Sequence, residues 1–413
     1  MAKIISTTLS PNTQNDDVFL AFKMLFKPSY WQGGTDGQTS PKQALEAIFC
    51  SNLGIKHAYS FNAGRSALLA ILEALKAPQE SEILVQAYTC NAVLNPILKT
   101  GLKPIFVDID DKLNIDPRDC QRKITNKTKA IIVQHTFGHV CQIEEIQRIA
   151  QENKIILIED CAHSLGIKYN NQYLGTFGDA AFYSFGRDKM ISCVYGGMAT
   201  AKNEIIGQNL EKNYQNLEYP QKSWTFQQLL HPVLMNWLVL PTYNFFKLGL
   251  GLLKMFQGLQ MLSFSVYPQE NNAVWMDIFP KKMPQALASL ACNQIKKLDN
   301  FNQHRLEIAQ VYLDNLHNPE FKIIFDNQAY MRFPIICNNP DEIINKLRKV
   351  GIYLEDGWRK SIIVPSKSNL EKFGYKNDCP RAQDLANKIF NLPTHINISF
   401  VDANKICLLL NKQ

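Results

Sequence analysis

The residues of this chain that are best suited to chemistry lie between positions 158 and 197. An apolar run there ends at Asp160, and a buried strand that stops at a carboxylate delivers one negative charge to a pocket. A second apolar strand ends at Ser184, and Lys189 follows five residues later. The glycine pair 196–197 then allows a close approach of backbone. A lysine, a carboxylate and a hydroxyl therefore converge within forty residues.

These three groups together suit one cofactor. Lys189 can form a Schiff base with an aldehyde. The Asp160 carboxylate can keep a pyridine nitrogen protonated, so that the ring accepts electrons. The Ser184 hydroxyl and nearby loop amides can hold a phosphate. Because pyridoxal phosphate needs all three functions, the sequence predicts a pyridoxal phosphate site and no metal site.

A second candidate for phosphate binding is the segment Gly64, Arg65 and Ser66. It lies between a short strand and a long apolar helix, so the free amides at the helix start would face an anion. Arg65 adds a permanent charge there. The alternative interpretation is an ordinary capped helix.

Strands and helices alternate from about residue 57 to residue 160, which predicts a mostly parallel sheet with helices on both faces. Side chains for the site then gather at the carboxyl ends of strands. Ser60, Tyr88, His135 and Asp160 are all predicted at such ends.

Four motifs in fixed order resemble one known family. They are E-D-x-A-H-S at 159–164, G-x-F-G-D at 175–179, S-F-x-x-x-K at 184–189, and the glycine pair. The pattern looks like the DegT/DnrJ/StrS family, and the likeness runs from about residue 40 to residue 410. It implies the fold-type-I architecture, a three-layer α/β/α domain with a mostly parallel sheet and a small C-terminal α+β domain.

The resemblance also implies residue roles. It makes Lys189 the Schiff-base lysine, Asp160 the partner of the ring nitrogen, His163 the group packed on the ring face, and Ser184 a phosphate ligand. The phosphate cup of the family falls on Gly64, Arg65 and Ser66.

Two departures from the family pattern stand out. The position of the aromatic residue that stacks on the cofactor ring is Cys90, with Tyr88 two residues earlier, so either Tyr88 covers the ring or the stack is lost. The asparagine that reaches the cofactor phosphate of the neighbouring subunit is absent near Pro280, where Lys281 or Lys282 is the candidate replacement.

The activity that the resemblance implies is transamination of a nucleotide- or lipid-linked keto-sugar in a homodimer, for cell-surface polysaccharide synthesis. The donor implied by the family is L-glutamate, and Lys189 serves as the acid and base. Alternatives are a sulfur amino acid lyase, which would use a mobile thiol among Cys90, Cys161 and Cys193, and a non-catalytic membrane-associated pathway protein.

The segment 225–265 is unusually apolar, but prolines and two lysines interrupt it, which disfavours a true membrane span. One interpretation places two helices against a partner subunit or under the active site. The other is a hairpin lying in one leaflet, as an interfacial membrane contact. The anchors of that hairpin would be Trp237, Phe245, Phe246 and Phe256, with Lys247 and Lys254 at the headgroups.

The predicted domain plan has an irregular segment at 1–39, a large domain at 40–280, and a long helix at 281–318 that opens a small domain ending at 413. Trp358 and His395 in this last part are assigned to core packing, with substrate contact as the alternative.

Bulk properties narrow the function classes. The net charge is +7 without a Lys/Arg block, which argues against nucleic acid. Ten cysteines without a C-x-x-C pair argue against a zinc ribbon and a secreted disulfide framework. With no signal-peptide pattern at the N-terminus, the expected location is cytoplasmic, with a peripheral position at the inner face of the membrane as the alternative.

Overall fold

A computed structural model describes residues 4–37, 39–243, 245 and 248–413. A central sheet of seven strands organises the larger part of the chain. In spatial order its strands are His57–Phe61, Gly197–Ala201, Ala180–Ser184, Ile156–Asp160, Thr128–Gln134, Glu82–Gln86 and Lys103–Val107. Only Gly197–Ala201 runs antiparallel to its two neighbours. The predicted mostly parallel sheet is therefore confirmed.

Helices alternate with these strands and bury their apolar faces against them. They are Pro41–Leu53, Gly64–Ala74, Asn91–Lys99, Pro117–Lys123, Ile143–Glu152 and Glu204–Gln215. The helix Asn15–Leu25 precedes the sheet and packs on other helices. Short 3-10 turns span Pro28–Trp31, Thr136–Gly138 and Pro268–Asn272. Ser40 caps the Pro41–Leu53 helix, because its hydroxyl accepts a hydrogen bond from the Gln43 backbone N–H.

The prediction of an irregular N-terminal segment is wrong for the Asn15–Leu25 helix. The Asp17 carboxylate caps this helix by accepting a hydrogen bond from the Gln14 backbone N–H. Val18, Ala21 and Met24 face the core at helical spacing. Aromatic residues on the opposite face of the helix obscure this pattern in the sequence.

The apolar segment folds into helices Lys222–Leu234 and Leu248–Gly258, joined through a π-helical turn, Met235–Val239, and the short helix Leu240–Thr242. Within the described residues, no helix combines the length and the apolar character that crossing a membrane requires. Phe256 is buried in a small core with Met235 and Val239, so the prediction that it anchors in a membrane is wrong. Phe246 and Lys247 lie outside the described residues.

The predicted helix 281–318 is two helices, Gln285–Ile295 and Leu298–Asn315. Apolar residues continue at helical spacing across the junction, so periodicity alone does not reveal the break. The first helix packs into the main core, whereas the second extends to a separate core in the C-terminal part. The break lets one continuous segment serve two cores.

The C-terminal part contains a three-stranded antiparallel sheet and three further helices. Its strands are Lys322–Ile323, Arg332–Ile336 and Ile389–Pro393, and its helices are Pro340–Lys349, Pro380–Lys388 and Phe400–Leu410. Three pairs of two-residue strands complete the fold: Ile5–Ser6 with Ile352–Tyr353, Thr89–Cys90 with Ile363–Val364, and Lys168–Tyr169 with Gln172–Tyr173. The exact domain boundaries stay a prediction.

Candidate active site

Two glycines bring the lysine loop against the start of the Gly64–Ala74 helix. A Cβ atom on Gly64 would lie 2.9 Å from the Ser184 Cβ atom. A Cβ atom on Gly197 would lie 2.6 Å from the Ala63 carbonyl and the Gly64 Cα atom. The close approach predicted for the glycine pair is thus an approach to the helix start. Ser184 and the first helical amides consequently share one corner.

A cavity of about 530 Å³ opens at this corner, at the carboxyl ends of the central strands. It is lined by seven of the nine predicted site residues: Gly64, Arg65, Cys90, Asp160, His163, Ser184 and Lys189. Ser66 and Tyr88 are fully buried and do not line it. Ser60 and His135 also stand behind the wall, although their strands end at the same edge.

Glu159, which precedes Asp160, links the motif E-D-x-A-H-S to the motif G-x-F-G-D. Its buried carboxylate accepts hydrogen bonds from the backbone N–H groups of Gly175, Phe177 and Gly178 at 2.7–2.8 Å. His135 donates a fourth bond through Nε2 at 3.3 Å, since its Nδ1 atom accepts from the Cys141 N–H. The carboxylate thereby ties the G-x-F-G-D loop to the strand that carries Asp160. His135, Glu159 and Cys161 lie close enough to hold a metal ion, but these bonds already occupy the carboxylate.

Asp160 carries the carboxylate of the cavity that has no ion-pair partner in the described chain. One of its oxygens accepts a hydrogen bond from the Ala162 backbone N–H at 2.9 Å. Burial raises the pKa of Asp160 to about 6, against the opposing effects of that hydrogen bond and of Lys189 and His135. A buried carboxylate in this state favours a cationic partner, and the protonated ring nitrogen of pyridoxal phosphate meets that requirement.

Lys189 and His163 form a directed pair on the other side of the cavity. His163 Nδ1 accepts a hydrogen bond from the Phe137 backbone N–H at 3.2 Å, which leaves the proton of the neutral ring on Nε2. That nitrogen lies 3.0 Å from Lys189 Nζ. Burial, together with the charges of Lys189 and Arg332, lowers the pKa of His163 well below its usual value. The Phe137 N–H thus fixes the orientation of the imidazole, which directs its Nε2 atom at the Lys189 amine.

Arg65 lines the cavity as one half of an ion pair. Its guanidinium binds the buried carboxylate of Glu270 and donates to the Ser265 carbonyl at 2.8 Å. The group also stacks over the Phe279 ring at 4.9 Å. The predicted direct contact between Arg65 and phosphate therefore stays a prediction, and the Arg65 charge is already balanced.

Of the two residues considered for covering the cofactor ring, Cys90 lines the cavity and Tyr88 does not. The Tyr88 ring contacts Phe137 and Trp358 behind the wall, and its hydroxyl donates to the Trp358 carbonyl at 2.7 Å. Cys90 lines the cavity instead. The Trp358 ring also lines it, with its centroid 4.9 Å from that of His163. Trp358 is thus buried in the core and also lines the cavity, where its contact with substrate stays a prediction, whereas His395 does not line this cavity.

The lysines near Pro280 are engaged within their own chain. Lys281 Nζ donates to the Glu218 carboxylate at 3.1 Å, and Lys282 Nζ donates to the Gln215 carbonyl at 3.0 Å. The Lys281 backbone pairs with Asn62, immediately before the helix start. Their suggested role toward a neighbouring subunit stays a prediction.

Sequence reasoning missed the acidic residues Asp188 and Asp356, which line the cavity and share one buried arginine. Arg332 binds Asp188 through Nη2 and Asp356 through Nη1, the latter at 3.2 Å. Asp356 in turn accepts from the Trp358 N–H at 2.9 Å. This network joins the lysine loop to the C-terminal sheet. Arg332 lies 144 residues after Asp188 and 24 residues before Asp356, so no local sequence pattern reveals the network.

Comparison with known proteins places this geometry in context. A model of the DegT/DnrJ/EryC1/StrS aminotransferase family matches residues 31–228 and 255–411. The chain belongs to the DegT/DnrJ/EryC1/StrS aminotransferase family. GDP-perosamine synthase of Escherichia coli O157:H7 is 28% identical to this chain over 381 residues, which cover 90% of this chain and 89% of that protein.

Solved structures share the fold of the family. Helicobacter pylori PseC, an aminotransferase involved in the biosynthesis of pseudoaminic acid, is 21% identical with a TM-score of 0.74, and the match covers 99% of both chains. The PLP-form of the putative sugar aminotransferase Spr1654 from Streptococcus pneumoniae is 20% identical with a TM-score of 0.73, over 98% and 97% of the two chains. The predicted family, fold class and aminotransferase activity are confirmed. The predicted role in amino-sugar biosynthesis and the predicted pyridoxal phosphate cofactor agree with these relatives.

Proposed function

We propose that this chain transfers an amino group from L-glutamate to the ketone of a diphosphate-linked sugar, with pyridoxal phosphate as the cofactor. The observation that carries the proposal is the joint presence of Lys189, the unpaired Asp160 carboxylate and the helix start at Gly64 in one cavity. When bound, the cofactor supplies an electron sink for the carbon that loses and gains the amino group.

Each part of the cavity suits one part of the cofactor. The Asp160 carboxylate would face the ring nitrogen. The first-turn amides of Gly64 and Arg65 have no partner within their helix, and with the Ser184 hydroxyl they suit a phosphate. The imidazole of His163 and the indole of Trp358 supply flat apolar surfaces.

Lys189 is the group placed to move a proton. Its Nζ atom lies in the cavity, 3.0 Å from His163 Nε2, and the amine of a lysine can act as a general base when it carries no proton. Nζ would take the proton from the α-carbon of the donor and return a proton during the second half-reaction. His163 holds the amine in position, because its own tautomer is fixed by the Phe137 N–H.

The lyase alternative needs a mobile thiolate beside the substrate, and the cavity offers only Cys90. Burial raises the pKa of Cys90, which favours the thiol. Its sulfur also caps the Asn91–Lys99 helix by accepting from the Ala92 N–H at 3.5 Å. These constraints favour transamination. All ten cysteines are free, which suits a reducing compartment such as the cytoplasm.

The experiment is a pair of half-reactions on the purified protein loaded with pyridoxal phosphate. L-Glutamate should convert the loaded enzyme to its amine form and release 2-oxoglutarate. A panel of nucleotide-linked keto-sugars should then restore the starting spectrum with formation of an amino-sugar. The lyase would be supported instead if the loaded enzyme did not respond to L-glutamate and released sulfide or a persulfide from a sulfur amino acid.

We further propose that an aromatic surface of the chain contacts the membrane leaflet. This aromatic surface consists of Phe19, Phe22, Phe26, Trp237 and Leu238, which are 36–72% exposed. The Trp237 ring lies 5.2 Å from Phe22 and 6.4 Å from Phe19, so two segments distant in sequence form one patch. An exposed patch of this kind needs a partner.

Charge favours a lipid surface as that partner. Lys23 is exposed on the same helix as Phe19 and Phe22, and Lys254 is exposed on the Leu248–Gly258 helix. Aromatic rings beside lysines suit the interface of an anionic leaflet. Trp237 and Phe245 keep their predicted status as anchors, since 47% and 54% of their surfaces are exposed. The C-terminal end of the segment 225–265 reaches the active site, since Phe264 and Ser265 line the cavity.

Vesicle flotation tests this contact. The wild-type protein should float with vesicles of phosphatidylglycerol and phosphatidylcholine, and the double variant Phe22→Glu, Trp237→Glu should not. Val401→Glu, at a residue 76% exposed elsewhere, is the matched control. Molar mass measured by light scattering completes the test, because a homodimer is part of this proposal through the family resemblance. The membrane contact would be overturned if the wild type did not float with vesicles and the double variant had the molar mass of a monomer. That result would assign the aromatic surface to contact with a second copy of the chain.

A further inference from the structure

The cations of the cavity outnumber its unbalanced carboxylates. Arg65 is balanced by Glu270, whereas Arg332 neutralises one of the two carboxylates that it binds, Asp188 and Asp356, so one negative charge is left at that pair. Three cations lining the cavity then remain without an ion pair among the described residues: Arg187, Lys189 and Lys367. Asp160 and Lys189 are accounted for by the proposed function. An anionic ligand is therefore expected beside Arg187 or Lys367.

Arg187 is the better placed of the two. Its Nη2 atom donates to the carbonyl and to the hydroxyl oxygen of Ser263, both at 2.6 Å. The guanidinium also lies 5.9 Å from the centre of the Tyr195 ring. These hydrogen-bond and ring partners are neutral, so they fix the position of the charge, and the neighbouring Asp188 carboxylate is bound by Arg332 instead. Lys367, by contrast, is exposed at the rim.

The anchor of Arg187 is itself secured. The Ser263 hydroxyl donates to the Gln228 side-chain carbonyl at 2.6 Å, and that glutamine is fully buried on the Lys222–Leu234 helix. The Tyr195 hydroxyl donates to the Ser265 carbonyl at 3.2 Å, on the cavity wall. A guanidinium held from several sides in this way is preorganised, and its planar fork suits carboxylate and phosphate oxygens.

We propose that Arg187 binds an anionic oxygen group of the substrate, either the α-carboxylate of the amino donor or the diphosphate of the sugar acceptor. This inference rests on the proposed function and adds the residue that reads the charge of the substrate. Since Arg187 lies two positions before Lys189, it ties anion binding to the loop that carries the reacting amine.

The test compares Arg187→Gln and Arg187→Lys with the wild type, all loaded with pyridoxal phosphate. Arg148→Gln is the control, because it removes an arginine that is 58% exposed on the Ile143–Glu152 helix. Two constants are measured: the apparent dissociation constant of L-glutamate in the rapid half-reaction, and the dissociation constant of inorganic pyrophosphate by calorimetry. Loss of a charge-assisted hydrogen bond should weaken one of them by about 10- to 100-fold in Arg187→Gln. The limiting rate at saturation should change little, and Arg187→Lys should recover part of the affinity.

Each outcome decides the proposal. If Arg187→Gln raises the dissociation constant of L-glutamate alone, Arg187 binds the donor carboxylate. If it raises the dissociation constant of pyrophosphate alone, Arg187 binds the acceptor diphosphate. Unchanged constants for both anions overturn the proposal, as does a variant that no longer holds the cofactor. If the wild type does not respond to glutamate, the proposed function fails, while the pyrophosphate titration still tests Arg187.

Discussion

Replacing Asp160 with asparagine should stabilise the cofactor-free protein while removing its function. The carboxylate is 3% exposed and has no cation paired to it in the described chain. Burial raises its pKa from 3.8 to about 6. A shift of about two units corresponds to about 3 kcal/mol of differential stability at about 1.4 kcal/mol per unit. Asparagine keeps an oxygen for the Ala162 N–H and carries no charge to bury.

The sign of the pH dependence follows from proton binding. Between about pH 4 and pH 6 the native state binds the Asp160 proton more tightly than the unfolded state does. The wild type therefore loses stability as the pH rises through this window. The asparagine variant has no such loss. The gap in unfolding free energy should grow from roughly 0.5 kcal/mol at pH 4 to about 3 kcal/mol at pH 8.

Urea unfolding of the cofactor-free proteins at pH 4 and pH 8 measures this gap. Asp384→Asn is the control, since that carboxylate is 58% exposed and its removal should shift stability by less than about 0.5 kcal/mol. A gap that is equal at the two pH values would refute the reasoning. So would an asparagine variant that is less stable than the wild type at pH 8.

Three further substitutions probe the scaffold of the site. Glu159→Gln should lower the unfolding free energy by about 3–6 kcal/mol, because the new amide would face two of the four donors at that carboxylate; urea unfolding measures it. Gly197→Ala should cost about 1–3 kcal/mol and weaken pyridoxal phosphate binding, since its Cβ would overlap the Ala63 backbone; a cofactor titration measures the binding. Asn12→Ala should cost about 1–3 kcal/mol and slow the glutamate half-reaction, because its side chain donates to the Lys189 and Met190 carbonyls; stopped-flow absorption measures the rate.

Matched controls make these three predictions decisive. Glu145→Gln removes an exposed carboxylate and should have little effect, so equal losses at Glu145 and Glu159 would contradict the account. Gly251→Ala places a Cβ atom in open space within a helix and should be neutral or stabilising. Similar losses for Gly197 and Gly251 would contradict the packing argument. Unchanged kinetics in Asn12→Ala would show that the Lys189 loop holds its position without Asn12.

The part of the site that the sequence predicts is the part encoded in strand ends. Asp160 and Ser184 end apolar runs, Lys189 follows Ser184 by five residues, and parallel strands bring their carboxyl ends to one edge. The same reasoning also places Tyr88 in the site, but its ring packs behind the cavity wall against Phe137 and Trp358. A strand end fixes which edge a residue occupies, whereas packing decides which way its side chain points.

The missed features depend on contacts between distant segments. Arg187 looks like a surface residue until Ser263, 76 residues later, accepts its hydrogen bonds. Asn12 reaches Lys189 across 177 residues. The salt bridge between Arg65 and Glu270 joins residues 205 positions apart, and it balances the charge of a residue predicted to bind phosphate. No local pattern encodes these pairings, because the fold alone brings their members together.

The most direct test of the central claim is an absorption spectrum of the protein with pyridoxal phosphate, before and after L-glutamate, alongside Lys189→Ala. The account predicts a band near about 420 nm that gives way to one near about 330 nm when glutamate is added. It also predicts that the Lys189→Ala variant shows neither the band nor the conversion. A wild type without the band, or a variant that responds to glutamate as the wild type does, would contradict the assignment of Lys189.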